Sequence, residues 1–168
     1  MAVSDDIAKT ESRRRLAGET LEGACRLLRA AGMSVLIEVP LKNGRRADIM
    51  ALARDGGIGI VEVKSSREDF LADAKWRAYL PWCDLFYFAV PPGFDHSLLP
   101  ADTGLIVADR WEGVFVREPP RRPLSAARRR SLLLMFAHMA AARLHRQQEQ
   151  NRRLQRETGH ADESGPAS

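Results

Sequence analysis

Gly44-Arg45-Arg46-Ala47-Asp48-Ile49-Met50, followed by Ile60-Val61-Glu62-Val63-Lys64, is the stretch that decides the fold of this 168-residue chain. Residues two apart on a strand face the same side, so Glu62 and Lys64 project together while Val61 and Val63 face the other way. A hairpin joining this strand to the one before it brings Asp48 beside that pair. Two carboxylates and an amine then meet at the face of a sheet. Such clustering is costly unless something compensates it, and a bound cation is the economical compensation. A Glu-x-Lys pair alone more often marks a solvated strand face. The apolar strand, the acid on the preceding strand and the helix start straight after Lys64 favour a site instead.

Outward from that stretch the elements are predicted in order. Leu16, Ala24, Leu27, Leu28 and Ala31 recur at helical spacing over Arg13–Ala31, with Gly32 as a stop. Met33–Pro40 alternates as a strand, and Lys42-Asn43-Gly44 is a hairpin turn. The second strand covers Arg45–Ala53, Asp55-Gly56-Gly57 turns the chain, and Ile58–Val63 is a third, β-branched strand. Ser66 reads as a helix N-cap with Asp69 as its reciprocal acid, opening a helix through Phe70, Leu71, Ala74 and Tyr79 that ends near Pro81. Asp84–Val90 reads as a buried strand, and Thr103–Ala108 and Gly113–Val116 as two short ones. After Pro119-Pro120-Arg121-Arg122-Pro123 a long helix runs from Ser125 past Arg146. The expectation is therefore an α/β fold, a single mixed sheet flanked by helices, with an edge strand addition and a C-terminal helix. Its organisation would be a disordered lead-in over 1–12, a core domain over 13–118, a basic linker and helix over 119–157, and a disordered tail over 158–168.

Asp48 followed by Glu62-Val63-Lys64 resembles the Asp…(Asp/Glu)-x-Lys motif of the PD-(D/E)xK phosphodiesterase superfamily. The order helix, three strands, helix, strand is similar to that superfamily's restriction-endonuclease-like core. The longer set Gly44–Asp48, Val61–Ser66, Asp73-Ala74-Lys75-Trp76, Cys83–Val90 and Gly104–Asp109 resembles the bacterial MmcB-like DNA repair proteins over roughly residues 16–118. Ala47 stands where the superfamily motif has proline. The resemblance implies a metal-dependent nuclease acting on DNA in repair, with other repair proteins as further partners and room for a homodimer. It implies Mg²⁺ or Mn²⁺ held by Asp48, Glu62 and the Val63 carbonyl, with Lys64 as the third catalytic group. That donor set suits a hard cation that keeps several of its waters. The alternative is a non-catalytic DNA-binding or scaffolding protein on the same fold.

Further candidates surround this set. Superfamily members often add an acid from the first helix, and Glu19 lies beside the apolar stripe while Glu22 lies opposite it. Glu38, on the strand before Asp48, is a second candidate acid. Arg45, Arg46 and Lys75 are candidate phosphate contacts, and Trp76 is a candidate for stacking on a base or for ordinary core packing. Asp69 reads as a cap rather than a ligand.

With Lys9, Lys42, Lys64 and Lys75 the sole lysines, nearly all of the positive charge in a net +4 chain is arginine. That suits phosphate, though an arginine-rich composition gives the same bias. Cys25 and Cys83 sit in apolar stretches with no CxxC or Cys/His spacing, which argues against a zinc site or redox dithiol and fits reduced, buried thiols in a cytoplasmic setting. The polar N-terminus has no signal-peptide core, and no segment has the ~20 apolar residues of a membrane span.

Overall fold

The computed structural model describes residues 2–72 and 75–161, with side chains described for 7–72 and 75–156. The chain forms two compact units, residues 1–129 and 130–168. The first holds helix α1 (Ala2–Ala30), strands β1 (Ser34–Pro40), β2 (Arg46–Leu52) and β3 (Ile58–Val63), and helix α2 (Arg67–Ala72). A 3-10 helix (Trp76–Trp82), β4 (Leu85–Val90), β5 (Gly104–Ala108) and β6 (Gly113–Arg117) complete it, and helix α3 (Ala126–Ala161) begins at its end. The six strands make one mixed sheet in chain order. β1, β2 and β3 pair antiparallel, β3, β4 and β5 parallel, and β5 and β6 antiparallel.

Local chemistry explains these elements. Gly32, at φ +80°, closes α1: the Met33 N–H reaches the Leu28 carbonyl and the Gly32 N–H reaches that of Arg29, the paired bonds of a glycine C-cap. Gly44 and Gly56, also at positive φ, turn β1 into β2 and β2 into β3. Parallel pairing of β3 with β4 requires a crossover, and residues 64–84 carry it, with α2 and the 3-10 helix along the way.

The sheet is covered on both faces. Ile49, Ala51, Val61, Val63, Tyr87, Ala89, Ile106 and Ala108 pack with Ala24, Cys25 and Leu28 of α1. The alternate residues Phe86 and Phe88 meet Trp76, Tyr79 and Phe70. All six residues of β3 are buried, as befits a central strand in a parallel region. Gly23 is required where α1 crosses the β5–β6 turn, because a Cβ there would run into the Asp109 and Glu112 carbonyls.

The expected α/β sheet is present, and several expected boundaries differ. Residues 2–12, expected to be a lead-in, are helical, because α1 starts at Ala2. The single helix expected after Ser66 is two elements, α2 and a 3-10 helix. In the latter, Trp76 and Tyr79 lie three apart, the 3-10 repeat, which stacks both rings against Phe86. The division after Arg129 falls inside α3, not at 118. Of the expected tail, α3 continues to Ala161, and residues 162–168 lie outside the described residues.

Candidate active site

The register sets the site. β1 and β2 pair Ile37 with Ile49 and Val39 with Ala47, and β2 and β3 pair Ile49 with Val61. Glu38, Asp48 and Glu62 therefore stand at matching positions on three neighbouring strands, and residues opposite each other share a face. The two acids of the expected motif are tied across the β2–β3 gap. Asp48 Oδ2 accepts the Val63 N–H at 2.8 Å, and Glu62 Oε1 accepts the Asp48 N–H at 3.3 Å. Lys64 comes directly after β3, its N–H donating to the Ala89 carbonyl at 2.9 Å. Glu62 and Lys64 are 3% and 4% exposed, and Asp48 is half-buried. Charged side chains are almost never so enclosed without a specific arrangement.

These residues open into one cleft of about 450 Å³, lined by Glu38, Arg46, Asp48, Glu62, Val63, Lys64, Asp69 and Tyr79, with Ala17, Gly18 and Leu21 of α1 on the other wall. Burial pushes the Asp48 carboxyl above its ordinary pKa, against the pull of the Val63 N–H and of Lys64; Glu38 pushes it up further, and Arg46 draws it back. That upward shift marks a negative charge whose surroundings undercompensate it. Two carboxylates flanking a strand backbone are a hard oxygen donor set, which fits Mg²⁺ or Mn²⁺. Among the described residues no group of three or more His, Cys, Asp or Glu side chains is gathered for an ion.

Glu38 differs from the other two acids. Its backbone is left-handed, at φ +52°, a conformation that costs a residue with a Cβ about 1–2 kcal/mol. Its carboxylate pairs with the Arg46 guanidinium at 2.8 Å, with 49% and 62% of the two side chains exposed. An exposed pair of that kind contributes about 0–1 kcal/mol.

The remaining candidates divide. Ser66 caps α2 as expected, its Oγ accepting at 3.2 Å the N–H of Asp69. The Asp69 carboxylate, however, takes the Ser65 N–H at 3.0 Å, one residue earlier than a reciprocal box would have it. Glu19 is half-buried and is not part of the cleft lining, where α1 presents Gly18 instead; Glu22 is exposed. Arg45 sits in the β1–β2 turn, its N–H donating to Asn43 Oδ1 at 3.1 Å, while Arg46 reaches the cleft. Lys75 is exposed at the start of the 3-10 helix, outside the lining. Trp76 is a correction. It is 3% exposed, with Phe86 stacked on its ring at 5.5 Å and the Arg77 guanidinium 4.5 Å from its centroid, so its faces are taken and it is core. Tyr79, read from sequence only as a helix residue, lines the cleft and donates its hydroxyl to the Arg46 carbonyl at 2.9 Å. Its signal in the sequence was the three-residue spacing from Trp76.

Residues 6–151 match the family model described as DNA repair protein MmcB-like. The fold is similar to the solved structure of a protein of unknown function from Silicibacter pomeroyi, with a TM-score of 0.76 and 43% identity. That match covers 80% of this chain and 92% of the other. The chain matches none of the curated proteins.

Proposed function

The chain belongs to the MmcB-like DNA repair family, and on that premise we propose that its cleft is the active site of a metal-dependent phosphodiesterase acting on DNA. The observation that carries the proposal is that each acid accepts a backbone N–H from the other's strand, Asp48 from Val63 and Glu62 from Asp48, with Lys64 buried beside them in an open cleft. The arrangement agrees with the PD-(D/E)xK pattern, in which two acids and a lysine come from adjacent strands behind a helix–three strands–helix–strand order.

In this reading Asp48, Glu62 and the Val63 carbonyl would hold Mg²⁺ or Mn²⁺. The chemistry such an ion would supply is Lewis-acid: a more acidic water and a partly neutralised phosphate. Lys64 orients the attacking water and stabilises the charge that develops, from a position that burial keeps fixed. Arg46, exposed at the rim, contacts the backbone phosphate without reading sequence. The Glu38–Asp48–Glu62 row sits on a strand scaffold rather than on loops, which suits a site needing small positional error.

The test is cleavage of duplex, nicked, flapped and single-stranded DNA with Mg²⁺ or Mn²⁺. The wild type should cut at least one of these, and Asp48→Ala and Lys64→Ala should each lose at least about a hundredfold. Cleavage that survives in both variants removes these residues from the mechanism. DNA binding without any cutting would identify a scaffolding or binding protein instead.

A further inference from the structure

Glu38 is the one described non-glycine residue with a positive φ, and it interrupts a strand whose pairing is regular on either side. Ile37 still pairs with Ile49 and Val39 with Ala47, so the left-handed backbone is not a slip of register. Glycine is the residue that such a backbone favours, and as a device for stability an exposed ion pair of about 0–1 kcal/mol does not offset a strain of about 1–2 kcal/mol. Backbone strain of this kind concentrates where a side chain must be aimed. The side chain here reaches diagonally to Arg46, two residues before Asp48, at 2.8 Å. Arg46 is held from below as well, its carbonyl accepting the Tyr79 hydroxyl at 2.9 Å, and Glu38, Arg46 and Tyr79 all line the cleft.

We infer that Glu38 is a positioning residue: its carboxylate holds the Arg46 guanidinium over the cleft, where Arg46 meets the phosphate beside the scissile one. In this role Glu38 acts through Arg46 rather than directly on metal or substrate. This inference rests on the nuclease reading above. Removing an acid from a cleft that takes a polyanion should by charge alone tighten DNA binding, while loss of the aim should slow turnover. The two effects separate in kinetics, because ground-state binding governs KM and orientation in the transition state governs kcat.

The experiment measures kcat, KM and Tm, with Mn²⁺ and the DNA that the wild type cuts, for Glu38→Gly, Glu38→Gln, Arg46→Ala and the double variant Glu38→Gly with Arg46→Ala. Glu38→Gly should lower kcat about tenfold, leave KM unchanged or lower, and leave Tm unchanged or raised because the backbone strain is relieved. Glu38→Gln should keep most of the turnover, since its amide oxygen still accepts from the guanidinium. The double variant should have the kcat of Arg46→Ala alone. The inference is overturned if Glu38→Gly turns over like the wild type, lowers Tm, or multiplies the loss caused by Arg46→Ala. It is equally overturned if Glu38→Gln is as slow as Glu38→Gly, which would make the charge itself the requirement. A wild type that cuts no DNA removes the nuclease reading, and this inference with it.

Discussion

Arg129→Ala tests how the start of β3, and with it the position of Glu62, is held. Asp84 lies just before β4 and is 1% exposed in its side chain, where Arg129 of the first turn of α3 meets it with two bonds of 2.7 Å. The same carboxylate accepts the Ile58 N–H at 2.8 Å and the Leu124 N–H at 3.0 Å, and the Asp84 N–H returns a bond to the Ile58 carbonyl at 2.7 Å. Burial pushes the carboxyl up, but the bonds from Arg129, Ile58 and Leu124 outweigh it and hold the pKa at about 2 rather than 3.8. At about 1.4 kcal/mol per pH unit, that depression is worth about 2 kcal/mol. Removing one partner of a buried pair costs about 3–5 kcal/mol, and the two backbone donors left to Asp84 place this case near 3. Urea unfolding should show that deficit at pH 7. Because the folded pKa is depressed, the contribution is complete above about pH 4 and is lost as pH falls through about 2, so the two proteins should converge there. An unchanged midpoint at pH 7, or a deficit that persists undiminished at pH 2, refutes the reasoning.

Two further outcomes follow from burial. Trp76→Ala should cost about 3–5 kcal/mol of stability in thermal or urea unfolding, because it removes the ring stacked on Phe86 and set edge-to-face with Phe88; DNA affinity reduced at unchanged stability would contradict the core assignment. The Cys83 thiol is pushed up to about 12 by burial and by the neighbouring Asp84, and burial raises Cys25 as well. Neither should react with a thiol reagent at pH 8 until the protein unfolds, and rapid labelling of the native protein would show the packing to be wrong.

The central hairpin was legible because its signals are local. Gly44 and Gly56 mark the turns, the β-branched run marks β3, and a period of two places Glu62 and Lys64 together. Once the turns fix the register, Asp48 can only fall beside them. What escaped the sequence depends on distant partners. Arg129 finds Asp84 across 45 residues, which no periodicity announces. The left-handed backbone at Glu38 carries no residue cue, since glycine is the usual marker. Trp76 was open to two readings because an aromatic in a helix pattern packs or projects according to what lies under it, and here Phe86 and Phe88 lie under it. The helix after Ser66 was expected as one because Phe70, Leu71 and Tyr79 fit an α-helical spacing as well as they fit two shorter elements. Glu19 was favoured by its angle on the helical wheel, but the cleft meets α1 at Ala17, Gly18 and Leu21, a choice made by how the helix crosses the sheet.

Calorimetric titration of Mn²⁺ into the wild type and into Asp48→Asn and Glu62→Gln meets the central claim head on. Nearly isosteric amides keep the strand contacts while removing the charges a cation needs. One ion should bind the wild type, and binding should weaken by at least about tenfold in each variant. Equal affinity in all three proteins would show that the ion, if it binds, is held elsewhere than between β2 and β3.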